Sequence, residues 1–198
     1  MSEDAIKIDN RKDILLLLLA TPGKTLAKNE AIAGRTRLMK LVYLFYRELA
    51  PKLQSFKAII KEKQHNFIPY NYGPFSKEVF DDIQFLENAG LLKVEKGREL
   101  SLPEMAESRY FYEEVFFDRM ENQEAVNEII DYIEPVFKLT EKGVEFTEKL
   151  IQIIPPRERK ALQEFKAKFN SIPLTTLLRY VYTSYPESAT ESKISNTL

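Results

Sequence analysis

The stretch FIPYNYGPFSKEVFDDIQFLENAGLLKVEKG, residues 67–97, decides how this chain is read. Between Ser76 and Ala89, Val79, Ile83 and Leu86 stand at i, i+4 and i+7, the spacing of one apolar helix face. Gly90 follows at the place where a left-handed C′ residue ends a helix. Glu78 lies near the start, where a negative charge suits the helix dipole. Upstream, Pro74 fixes its own φ and biases Gly73 away from the helical region, so the chain runs extended through YNYG and turns sharply into the helix. Phe67, Tyr70, Tyr72 and Phe75 flank that turn. They are expected to pack beneath the helix start, with one tyrosine left exposed as a contact. After Gly90, LLKVEKG alternates apolar and polar residues as a strand that ends in a turn.

Outward from this stretch the pattern is mostly helical. RKDILLLLLA, residues 11–20, reads as a first helix stopped by TPGK. In residues 32–53, Leu38, Leu41, Val42, Phe45 and Leu49 form a regular apolar stripe, with Thr36 as the expected N-cap and Pro51 just past the end. LQSFKAIIKEK adds a short helical piece. Beyond Gly97, RYFYEEVFF is a strand candidate through Phe111, Val115 and Phe117, and ENQEAVNEIIDYIEP is an acidic helix candidate. FKLTEKGVEFTEKL reads as a short strand, a threonine cap at Thr140 and a helix. PRERKALQEFKAKF carries Leu162, Phe165 and Phe169 on one face, and IPLTTLLRYVYTSYP carries Leu174, Leu177, Leu178 and Val181, with Tyr180 off that stripe as an interface candidate.

Three helices followed by strands make the sequence shape of a winged helix. The expected fold is therefore mainly α with a small antiparallel β wing. It comprises a winged-helix-like domain over residues 1–150 with an acidic insertion at about 101–135, a C-terminal helical extension over 151–186 and a flexible polar tail over 187–198.

Composition removes several chemistries. The 198 residues hold no cysteine, which excludes disulfides, thiolate metal sites and cysteine nucleophiles. The single histidine, His65, sits in a charged connector and reads as a solvated loop residue. No metal, cofactor or catalytic group is assigned. The run Ile14–Ala20 is too short to cross a bilayer and lacks the flanks of a signal peptide, so a cytoplasmic protein is expected.

Net charge is −1 but uneven: +5 over residues 1–60, −1 over 61–100, −8 over 101–150 and +3 over 151–198. The helix Ser76–Ala89, which would be the reading helix of a winged fold, holds Lys77 against Glu78, Asp81, Asp82 and Glu87. Phosphates repel such a helix, so duplex recognition in the ordinary mode is disfavoured. The earlier helix has a basic side, Arg37, Lys40 and Arg47, weighed against a merely solvated face. The acidic middle of the chain has no metal-loop spacing and reads as a solvated or partner-facing surface.

Three segments together suggest a family. GRTRLMKLVYLFYREL, the YGPFS turn with its acidic helix, and FKLTEKG resemble the Panacea-type group, which includes SocA-like antitoxins and YwgA-like proteins. The matching residues are Leu38, Lys40, Leu41, Val42, Tyr43 and Leu44; Tyr72, Gly73, Pro74, Phe75 and Ser76; and Leu139, Thr140, Glu141, Lys142 and Gly143, within about Ile32 to Leu150. The resemblance implies a non-catalytic protein-binding role, as an antitoxin that neutralises a toxin or as an adaptor. The expected contact residues are Arg37, Lys40, Arg47, Tyr72 and Phe75. A homodimer is allowed. A DNA-binding transcription regulator is the alternative, and a carboxylate nuclease is the third class.

Overall fold

The computed structural model describes residues 7–62, 64–70, 73–99, 133–188 and 190. The described chain is mostly helical, with a small three-stranded antiparallel sheet. Helix α1 spans Arg11–Ala20, strand β1 Ile32–Ala33, α2 Arg35–Leu44, α3 Lys57–Glu62 and α4 Lys77–Asn88. Strands β2, Leu92–Glu99, and β3, Ile133–Leu139, follow, then α5 Glu141–Ile153, α6 Pro156–Asn170 and α7 Leu174–Ser184. The strand candidate at 109–117 and residues 121–132 of the acidic helix candidate lie outside the described residues.

Helix α1 is the centre of the core. Its residues Ile14 to Ala20 are all buried, and it touches α4, β3 and α5. An apolar run with no polar face has to be covered on every side, and each fully buried leucine contributes roughly 2 kcal/mol relative to exposure. Its N-terminus is closed by a reciprocal capping box. The Asn10 side chain accepts from the Lys12 and Asp13 backbone, and the Asp13 carboxylate accepts from the Asn10 amide at 3.1 Å. Its C-terminus is closed from a distance. Lys166 of α6, wholly buried, donates to the carbonyls of Leu19, Thr21 and Glu30. Burial pushes this amine down to about 7, with Glu30 opposing the fall.

The sheet order is β1-β3-β2. Ile32 faces Phe137 across β1 and β3, and Val94 faces Phe137 across β2 and β3. Strand β2 does not end at Gly97 as its sequence suggested: it continues to Glu99 through an irregularity between Lys96 and Glu99. The short β1 has no counterpart in the sequence reading, because two residues carry no period.

Helix α2 also departs from expectation. It is capped at Gly34 rather than Thr36, and after Leu44 it passes into a π turn, Phe45–Leu49, and a 3-10 turn, Ala50–Lys52, that contains Pro51. Helices α6 and α7 both contact α2, and Leu162, Phe165, Leu177 and Val181 share the main core with it.

The LTEKG segment locks the end of α4. Thr140 accepts from the Gly143 amide as N-cap of α5, and its hydroxyl donates to the Gly90 carbonyl at 2.6 Å. Lys142 donates to the Ala89 carbonyl at 2.8 Å, so groups at the start of α5 satisfy carbonyls left open at the end of α4. Thr140→Ala is expected to cost about 1.5 kcal/mol, read as a fall of roughly 4 °C in melting temperature by circular dichroism.

Candidate binding cleft

Residues 64–69, Pro74, Tyr43 and the π turn after α2 line a cleft of about 390 Å³, bounded along another side by Glu187 and Ser188. Its aromatic wall follows from sequence. Tyr43 sits on α2, Tyr46 in the π turn, and Phe67 leads a segment that does not run extended to Pro74 as its sequence suggested: the Gly73 amide donates to the Tyr70 carbonyl at 2.9 Å and Gly73 takes φ +81°, so the chain turns back on itself. Tyr43 meets Phe67 edge-on at 5.2 Å and Tyr185 at 5.5 Å, and Tyr46 meets Phe67 at 6.3 Å. Ile68 pairs with Phe75 across the turn through two backbone hydrogen bonds of 2.9 Å, yet its side chain is 49 % exposed.

Arg47 stands in this wall. The π turn fits an additional residue into one turn, which moves the side chains after Leu44 off the angular positions that a plain helix would give them. Its guanidinium lies 4.8 Å from the Tyr185 ring centroid and 5.8 Å from that of Tyr43. It pairs with Glu187 at 2.5 Å, and both side chains face solvent, 46 % and 60 % exposed. The adjacent Glu48 accepts from the hydroxyls of Tyr180, 2.8 Å, and Tyr185, 3.3 Å. Burial and that carboxylate push the Tyr185 phenol up to about 12. Tyr180 is therefore used within the chain, its ring also packing against Phe169.

Behind the cleft lies a buried polar chain. His65 is 2 % exposed, which corrects the solvated reading of this residue. Its Nδ1 lies 2.9 Å from the Tyr46 hydroxyl and its Nε2 3.0 Å from the Asp82 carboxylate. A neutral ring with its proton on Nε2 satisfies both contacts: the phenol donates to Nδ1, and Nε2–H donates to Asp82. Burial pushes the Tyr46 phenol up, so it keeps its proton and remains a donor. Arg11 Nε donates to Asp82 at 2.7 Å, and Lys12 lies 3.3 Å from the same carboxylate. Burial pulls Asp82 up, but hydrogen bonds from His65 and Arg11 and the charges of Arg11 and Lys12 outweigh it and hold Asp82 at about 2. Every member is matched, which makes this chain a tie between α1, the π turn, the 64–70 segment and α4.

The five residues singled out from sequence are scattered in role. Lys40 is 3 % exposed and donates to the Pro74 carbonyl at 3.1 Å, fixing Pro74 to α2. Arg37 donates to the carbonyls of Phe169, 3.1 Å, and Ile172, 2.8 Å, holding the end of α6. Phe75 is half-buried between Tyr70, 4.9 Å, and Phe80, 6.0 Å. Tyr72 lies outside the described residues. Arg47 alone of the three basic residues is exposed at the cleft.

Helix α4 is likewise less acidic outward than its composition. Asp82 is turned into the core, and the exposed positions are Lys77, Asp81, Gln84, Phe85, Glu87 and Asn88. Sequence reasoning missed Asp82 and Lys166, although a signal was present. Asp82 sits inside the stripe Val79, Ile83, Leu86, and Lys166 inside the stripe Leu162, Phe165, Phe169. A charge at a core-facing position is buried and needs a partner. No such signal marked His65.

Among the described residues no three His, Asp or Glu side chains gather as a metal site requires, and no helix is long and apolar enough to cross a membrane. Comparison of the chain with protein-family models, with curated proteins and with solved structures gives no match.

Proposed function

We propose that this chain is a non-catalytic protein-binding module, antitoxin-like or an adaptor, and that its contact surface is the cleft around Arg47. The observation that carries this is an exposed arginine stacked on tyrosines beside an open apolar wall. Arginine and tyrosine are the residues over-represented at the energetic centres of protein interfaces. The order α1, β1, α2, α3, α4, β2, β3, with the short α3 between α2 and α4 and with β2 and β3 as a two-stranded wing, supports a winged-helix-type arrangement to which α6 and α7 are added. The likeness of its YGPFS and LTEKG segments to Panacea-type antitoxins makes a toxin encoded beside it the first partner to test, in the cytoplasm.

Helix α4, the element a winged helix normally lays in the major groove, offers one exposed cation, Lys77, against Asp81 and Glu87. On the wing, Lys93 and Lys138 are both paired with Glu95. Lys96 of the wing is exposed, but neutralising phosphates requires a surplus of cations that the described face of α4 does not present, and protein binding is preferred over DNA binding for that reason. Affinity capture from the native host tests the reading. The wild-type chain is expected to retain a partner that Arg47→Glu loses, while the melting temperature moves by no more than about 2 °C. Equal capture by the variant would remove the cleft as the contact surface. A mobility shift with its own promoter at low salt would instead favour the regulator.

A further inference from the structure

The turn Pro186–Ser188 brings a carboxylate of the chain's own to the cleft. Glu187 meets the Arg47 guanidinium there, and the contact shows which chemistry this position accepts. We propose that the cleft receives a short acidic segment of the partner protein, a carboxylate beside an apolar or aromatic anchor, and that Glu187 occupies the carboxylate position as an internal competitor. The inference rests on the protein-binding reading above and specifies its partner.

Four observations carry it. Arg47 lies over Tyr185 and Tyr43, so its N–H edge remains for hydrogen bonding. Among the described residues, its side-chain acceptor is Glu187. A guanidinium edge matches a carboxylate and can take both oxygens. The Arg47–Glu187 pair is about half exposed on both sides, and ion pairs so placed contribute little, so one carboxylate can replace another almost without loss.

Next to the pair, Tyr43, Phe67, Ile68, Pro69 and Pro74 line the same cleft, and Ile68 is 49 % exposed, which gives an anchor somewhere to bury. Finally, Glu187 can leave Arg47 without undoing the turn or α7. Only the Glu187 side chain, 60 % exposed, has to swing away: Ser188 keeps the turn in place through its amide and hydroxyl on the Tyr185 carbonyl, 2.9 and 2.8 Å, and a side-chain hydrogen bond with Tyr43, while Tyr180 and Tyr185 fix the helix to Glu48.

The cleft's imidazole, His65, has both nitrogens engaged inside the fold, which leaves Arg47 as the one exposed cation among the described lining residues. A single guanidinium suits one carboxylate and an apolar neighbour. A nucleic-acid backbone needs a track of cations.

The experiment pans a displayed library of random linear peptides against the full chain, followed by fluorescence anisotropy of the enriched peptides on the wild type, Arg47→Glu and Glu187→Gln. Thermal melts establish that each variant is folded. The expected peptides carry Asp or Glu close to Phe, Tyr, Leu or Ile, lose about tenfold or more in affinity on Arg47→Glu, and gain about threefold on Glu187→Gln. Enriched peptides that bind Arg47→Glu as well as the wild type overturn the inference. So does a set rich in lysine and arginine, an empty selection, or a short labelled DNA duplex whose binding depends on Arg47. If host capture of a partner by the wild type succeeds while these peptide results fail, the protein-binding reading stands and only the acidic-segment inference falls.

Discussion

Asp82→Ala lowers the melting temperature by roughly 9 °C, corresponding to about 3 kcal/mol. The carboxylate is 2 % exposed and accepts from both His65 and Arg11, with Lys12 beside it. Its removal leaves a buried imidazole N–H and a guanidinium without their acceptor. The loss stays at the lower end of the range for broken buried pairs because Arg11 retains 29 % exposure and can turn to water. The effect is pH-dependent, and its sign follows from linkage. The folded Asp82 is held at about 2, below the ordinary aspartate value of 3.8. The ionised form is therefore the stabilising one. Its contribution is complete above about pH 4 and is lost as pH falls towards 2. Thermal melts of wild type and the isosteric Asp82→Asn should converge over that window and remain apart from pH 5 upward. A difference that persists unchanged to pH 2 would mean that shape rather than charge is what Asp82 supplies.

Gly143→Ala is expected to be as damaging, about 3 kcal/mol and roughly 9 °C, for an unrelated reason. A Cβ on Gly143 would stand 1.9 Å from the Leu91 carbonyl oxygen and 3.3 Å from the Leu139 side chain. The obstacle at 1.9 Å is backbone, which also accepts from the Thr140 amide at 3.2 Å, so it cannot rotate away. Helix α5 would have to lift from the end of α4 and take the Thr140 cap with it. Gly90→Ala provides the contrast. That residue has φ of +69° but nothing within 4 Å of its missing Cβ, so the change costs only the left-handed backbone penalty, about 1 kcal/mol or roughly 3 °C. Equal losses from both substitutions would reject close approach as the role of Gly143.

These two sites differ in how far the amino-acid sequence discloses them. LTEKG after a short strand could be read as cap and helix start, because Thr140 and Gly143 are three residues apart and their hydrogen bond is local. That the same glycine abuts Leu91 could not be read, since the two meet across 52 positions of chain. The cleft was half legible. Phe67, Phe75 and Arg47 were singled out as aromatic turn and basic side, but Arg37 and Lys40 were grouped with Arg47 by helical phase alone. The structure commits Arg37 to carbonyls in the 169–172 region and Lys40 to Pro74, and the π turn changes the phase before Arg47. Glu187 and the Tyr185 ring, which complete the site, come from a segment about 140 residues away.

By itself the sequence determined the apolar periods of α4, α6 and α7, the Thr140 cap and the Gly90 stop, though not the ends of α2. Each of these is a contact between residues no more than a few positions apart, where spacing dictates geometry. Only the tertiary structure decided the fate of the charges. Lys166 caps a helix 145 positions earlier, Asp82 anchors one 71 positions earlier, and Arg47 meets a carboxylate 140 positions later. A charged side chain is stable either in water or beside a buried partner, and which of the two it finds depends on what the rest of the chain brings to it.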